Sequence, residues 1–113
     1  MSKGLMVFTE GRDAVGGRVN RVAMNGDVLE VSYDYTMENM IYSGVLRVKS
    51  AGDDAWTGEW KDRDQRQKTF VGTAQLTVVK NTSRVLFYGA WEASEPRGSG
   101  EWTMDVELPR GFR

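Results

Sequence analysis

The sequence predicts an all-β domain, an antiparallel meander closing into a seven- or eight-stranded up-and-down barrel with little or no helix. Three observations predict it. Apolar and polar residues alternate with a period of two along most of the chain, as half-buried strands require. Clusters of turn-forming residues interrupt the alternation at short intervals. And one pattern, aromatic-x-Gly-x-apolar, recurs in Tyr42-x-Gly44-x-Leu46, Trp56-x-Gly58-x-Trp60, Phe70-x-Gly72-x-Ala74 and Phe87-x-Gly89-x-Trp91.

Each element follows from its alternation. LMVFT, residues 5 to 9, reads as a first strand or an ordered tail. GRDAVGGRVN, residues 11 to 20, is glycine-rich and reads as a flexible loop, with room for a short helical turn within residues 10 to 18. RVNRVAM leads into Asn25-Gly26, a dipeptide suited to a type I′ hairpin. In residues 27 to 36, Leu29, Val31, Tyr33 and Tyr35 share a dry face. Residues 41 to 50 put Tyr42, Gly44, Leu46 and Val48 inside, and Trp56, Gly58 and Trp60 share the inner face of the next strand. KDRDQRQK, residues 61 to 68, reads as a charged loop or hairpin tip. Residues 69 to 79 then turn Phe70, Gly72, Ala74, Leu76 and Val78 inward. Residues 84 to 93 do so with Val85, Phe87, Gly89, Trp91 and Ala93, and residues 101 to 108 with Trp102, Met104, Val106 and Leu108. The links at residues 37–40, 51–54, 81–83 and 95–98 are short, so sequential strands pair antiparallel.

The repeated glycine lies on the same face as the aromatics. A glycine inside an element costs about 0.5–1 kcal/mol relative to alanine, so four such positions need a compensating gain. A curved sheet supplies it: on the concave side a residue without Cβ lets the strand bend and leaves room for a neighbour's ring. The rival reading is a sandwich, in which the glycines mark bulges, or an open half-barrel.

The hairpin order, the strand lengths and the elements Gly58-Glu59-Trp60 and Gly100-Glu101-Trp102 resemble the calycin-like barrels of avidin and lipocalin type, over residues 19 to 108. Lipocalins carry Gly-x-Trp on the first strand, whereas here the two copies fall on middle and late strands. No avidin-type set of polar contacts aligns residue by residue, so the resemblance implies a fold and no particular ligand.

Composition narrows the function. The 113 residues form one domain, with 40% hydrophobic and 27% charged residues and a net charge of −1. That balance argues against nucleic acid and anionic membranes as partners. Lys61, Arg63, Arg66 and Lys68 cluster, but Asp62 and Asp64 interleave with them. Neither cysteine nor histidine is present, so no thiolate or imidazole metal site, disulfide or Ser-His or Cys-His device is expected. No cofactor is expected and no catalytic residue stands out: no acid occupies the inner face in mid-strand, though Asp62 and Glu38 could reach a barrel mouth. With no export signal and no apolar run able to span a bilayer, a cytoplasmic location is the default.

Nine of the twelve aromatics fall on the inner face. They are either plain core or the wall of a pocket for an apolar or aromatic ligand. The expected lining is Tyr42, Trp56, Trp60, Phe87, Trp91 and Trp102. The expected function is non-enzymatic small-molecule binding; the alternative is a homo-oligomeric interaction module with a solid core. On the outer face Val71, Val79, Leu86 and Tyr88 form an apolar strip, which suggests a homodimer.

Overall fold

Eight antiparallel strands follow one another in chain order and the last pairs with the first, closing the sheet. The computed structural model describes residues 3–94 and 97–112; of the turn expected at residues 95–98, Glu95 and Pro96 lie outside them, while Arg97 and Gly98 begin the last strand. The strands are β1 (Gly4–Glu10), β2 (Asp13–Asn25), β3 (Val28–Met37), β4 (Met40–Gly52), β5 (Ala55–Asp64), β6 (Thr69–Lys80), β7 (Arg84–Ser94) and β8 (Arg97–Glu107). Closure runs from Gly4 opposite Val106 to Phe8 opposite Trp102. It gives every strand two neighbours and removes the free edges that invite aggregation.

LMVFT lies within β1, in line with the first-strand reading. The glycine-rich stretch after it departs from expectation: Gly11-Arg12 is a tight turn, and residues 13–20 belong to β2 rather than to a loop or helical turn. Gly16 and Gly17 sit opposite Val7 and Met6 of β1. The backbone ladder holds them there whatever their weak local preference. A register shift between Val19 and Arg21 then bends β2 around the barrel.

Two hairpins refine the expected turns. Asn25 pairs with Val28, so the tight turn between β2 and β3 is Gly26-Asp27, one residue later than the Asn-Gly signal implies. Gly26 takes the positive φ, 66°. Both central residues of the next turn, Glu38 and Asn39, have positive φ (53° and 62°), so the type I′ signature falls there. Asn81-Thr82-Ser83 is a turn closed by its own side chain: Asn81 Oδ1 accepts from the amides of Ser83 (3.0 Å) and Arg84 (2.8 Å).

The barrel has two unlike ends. The lower end, where even-numbered strands finish, is solid. Val19, Leu29, Val31, Leu46, Val48, Val85, Phe87, Met104 and Val106 are fully buried and fill its interior. Phe112, beyond the last strand, folds back as a floor, its ring stacked on Trp56 at 5.1 Å and edge-on to Phe87 at 6.1 Å. The upper end, where odd-numbered strands finish, is lined by rings around a cavity. Eight strands make an interior just wide enough for side chains or one small ligand, and this chain uses one half each way.

Candidate functional site

The site begins with the glycines. Tyr33 on β3, Gly44 on β4, Asp62 on β5 and Phe70 on β6 stand side by side in one row across the sheet. Because Gly44 has no side chain, the Tyr33 ring lies across it; a Cβ there would meet the ring at 2.5 Å and collide with Asp62. The Tyr33 hydroxyl thereby reaches over β4 and donates to Asp62 Oδ1 at 2.5 Å. Tyr35, two residues on and on the same face, donates to Asp62 Oδ2 at 2.5 Å. The same device recurs one strand later, where the Trp60 ring covers Gly72 and its Nε1 donates to the Thr73 carbonyl at 3.1 Å.

Asp62 and Asp64 are the charged side chains buried among the described residues, each 6% exposed. They overturn one expectation and meet another. Residues 61–64 belong to β5 rather than to a hairpin tip, and Asp62, two residues from the end of that strand, reaches the barrel mouth as its position allows. Period-two logic penalises an inward carboxylate, but Asp62 is solvated by two tyrosine hydroxyls from β3, partners 29 and 27 residues away. Asp64 acts locally. Its Oδ1 accepts from the amides of Arg66 and Lys68, both at 2.9 Å, and shapes the turn that follows.

Above Asp62 lies a cavity of about 140 Å³ at the upper mouth. Its walls are Phe8, Tyr35, Tyr42, Trp60, Phe70 and Trp91, with Met6, Tyr33 and Trp102 deeper and Glu10, Met37 and Arg97 at the rim. The rings brace one another. Tyr35 stacks on Tyr42 at 4.9 Å, Phe8 meets Tyr35 edge-on at 4.9 Å, and Trp60 meets Trp91 edge-on at 5.9 Å. Such contacts add about 0.5–1.5 kcal/mol each beyond the area they bury and hold the walls in place. Trp91 Nε1 is tied to the Thr9 carbonyl at 3.1 Å, which joins β7 to β1 across β8. Trp102 Nε1 is buried and has no hydrogen-bond partner among the described residues; its ring stands edge-on to Tyr33 at 5.5 Å.

Of the six residues expected to line a pocket, four meet around this cavity: Tyr42, Trp60, Trp91 and Trp102. Trp56 and Phe87 do not. They face inward as their parity requires but lie in the lower half, against Phe112. Alternation reports the face of a strand, not the depth along the barrel axis. Nor does it single out Phe8, because β1 reads in the sequence as a possible tail; Asp62 is placed near a mouth by its position at a strand end, but not by alternation, since residues 61–64 read as a hairpin tip.

Burial pushes the Asp62 carboxyl above the usual aspartate range, and the two tyrosine hydroxyls pull against that without reversing it. Burial, and then the charge of Asp62, hold the Tyr33 and Tyr35 hydroxyls well above their ordinary range, so both remain donors. A carboxyl raised on folding contributes stability that is fully present below its unfolded value, about 3.9, and is lost as pH rises through the folded value. Asp62→Asn preserves the shape, with one amide oxygen to accept and one NH₂ to donate, and removes the charge. Its urea midpoint relative to wild type is therefore expected to climb between pH 4 and pH 7. A difference that stays flat over that range would show that the charge is not disfavoured by the fold.

Among the described residues no group of His, Cys, Asp and Glu side chains could hold a metal ion. Comparison with protein-family models, curated proteins and solved structures gives no match to this chain, so what it does must be read from the barrel and the geometry of its upper cavity.

Proposed function

We propose that the barrel binds a small apolar or aromatic molecule in its upper cavity, a use in keeping with the calycin-like type of barrel. The observation that carries this reading is the unequal filling of the interior: aliphatic packing below, a ring-walled space of about 140 Å³ above. A cavity of about 150 Å³ accepts benzene, so the fit is to one ring and not to a flavin or an extended fatty acid. Tryptophan fluorescence tests it, because Trp60, Trp91 and Trp102 face the space and Trp56 does not. Single-ring compounds should shift or quench the emission saturably, Trp56→Phe should retain the response, and Trp91→Phe should diminish it. No response to any single-ring compound at millimolar concentration would remove the proposal.

A second reading, homodimerisation, is favoured by the outer surface. Leu5, Asp105, Leu86 and Val79 form one outward row across β1, β8, β7 and β6, and Val7, Thr103, Tyr88 and Thr77 form the next. Leu5, Val7, Val79, Leu86 and Tyr88 are 63, 46, 53, 37 and 44% exposed, so the apolar strip is wider than β6 and β7 alone. Val71 stands apart from it: it lies eight positions before Val79 on β6 and pairs with Lys61 on β5. The charges at the patch cancel, since Arg84 Nε donates to Asp105 Oδ1 at 2.7 Å. A second copy therefore meets no net repulsion across a two-fold axis. Light scattering at tens of micromolar should give a dimer mass that Leu86→Glu halves while the strand signal in circular dichroism persists. A wild-type monomer at that concentration would dismiss this reading.

A further inference from the structure

Asp62 lies in the cavity with no cation beside it among the described residues, so burial disfavours its charged form and any charge it carries there is unbalanced. Asp62 takes part in none of the ion pairs among the described residues, which join Lys3–Glu107, Arg18–Asp34, Arg47–Glu30, Lys49–Asp27 and Arg84–Asp105 on the outside of the barrel. Its neighbours on the same row are Gly44 and Phe70, and its hydrogen-bond partners are neutral hydroxyls. An ionised carboxylate offers about four acceptor positions, of which Tyr33 and Tyr35 occupy two. The cavity walls above are aromatic rings, and a cation is attracted to a ring face by its quadrupole. A buried carboxyl, free acceptor sites and aromatic walls favour the same occupant.

We infer that the molecule this cavity takes carries a protonated amine on or near a single ring, the ammonium donating to Asp62 and the ring lying between Tyr35, Tyr42, Trp60 and Trp91. The inference rests on the cavity-binding reading and adds to it the chemical class of the ligand. The N–H⁺ group supplies the countercharge that the protein lacks beside Asp62, and charge-assisted hydrogen bonds in a shielded site are the strong ones. An anionic ligand is disfavoured by Asp62; Glu10 and Arg97 at the rim, and Lys68 with its Nζ 5.3 Å from the Phe70 centroid, are all exposed to solvent, so their effects are screened. A neutral ring of the same size fits the walls but leaves Asp62 without its countercharge.

Calorimetric titration of the full chain at pH 7 with 2-phenylethylamine, 2-phenylethanol and phenylacetate separates these cases. The amine should bind about tenfold or more tightly than the alcohol, and phenylacetate should bind weakest. Asp62→Asn, which keeps an acceptor for one tyrosine hydroxyl and turns an NH₂ to the other, should bind amine and alcohol alike, with its circular dichroism unchanged. An alcohol that binds wild type as well as the amine does, or an amine preference that survives in Asp62→Asn, overturns the ammonium assignment and leaves the cavity reading standing. If no member of the series binds, the cavity reading falls and takes this inference with it.

Discussion

Gly58→Ala should destabilise the barrel by about 3 kcal/mol or more, at the upper end of what overpacking a well-filled interior costs. Gly58 faces inward on β5 between Trp56 and Trp60, opposite Val48 of β4 and Ala74 of β6. A Cβ there would run into the Arg47 carbonyl oxygen and lie 2.7 Å from Val48 Cα. Both obstacles are backbone, so no flexible side chain can give way, and the ladder between β4 and β5 has to part. The same change on the outer face, Thr57→Ala, removes a solvated side chain and should stay within about 0.5 kcal/mol. Urea unfolding of the two variants makes the comparison. Equal midpoints would show that the strand has slack where the backbones are in contact, and the account of the repeated glycines would fail.

Phe112→Ala should cost about 3 kcal/mol, within the range for truncating a buried aromatic. The ring is 9% exposed and closes the lower end against Trp56 and Phe87, with Lys80 Nζ 5.9 Å from its centroid. Removing it opens a hole to solvent beneath Trp56, so acrylamide should quench that tryptophan more readily. The upper cavity is separated from this floor by the aliphatic layer, so ligand affinity there should hold. A loss below about 1 kcal/mol would mean that the closing turn, where the Phe112 amide donates to the Pro109 carbonyl at 3.2 Å, does not hold the ring in place.

The inward and outward faces of β3 to β8 are readable residue by residue, because a strand that buries one side writes that side into every second position. Tyr33, Leu46, Trp60, Leu76, Phe87 and Met104 all lie where their parity places them. The glycine pattern is readable for a related reason: a concave sheet cannot place a Cβ against a neighbouring backbone. β1 and β2 are less legible. Gly16 and Gly17 carry almost no local preference, and their conformation comes from pairing with Val7 and Met6.

Asp62 can be placed near a mouth from its position, but its burial is opaque for a different reason. A charged residue among charged residues looks like a solvated tip, and the hydroxyls that permit its burial come from another strand. Phe112 is equally hidden, since one aromatic beyond the last strand has no periodicity to place it. Val71 shows the limit on the outside, where sharing a face with Val79 does not put it in the same patch.

The order of residues settled that this chain is a meander of strands with one wet and one dry side, and that the dry side must curve. Both are local consequences of side-chain alternation and of missing Cβ atoms. Which rings meet at the same height, which end is left open, and that a buried carboxylate sits under the opening depended on register and closure. Those are set by pairings between residues far apart in the chain, and no short window of sequence contains them.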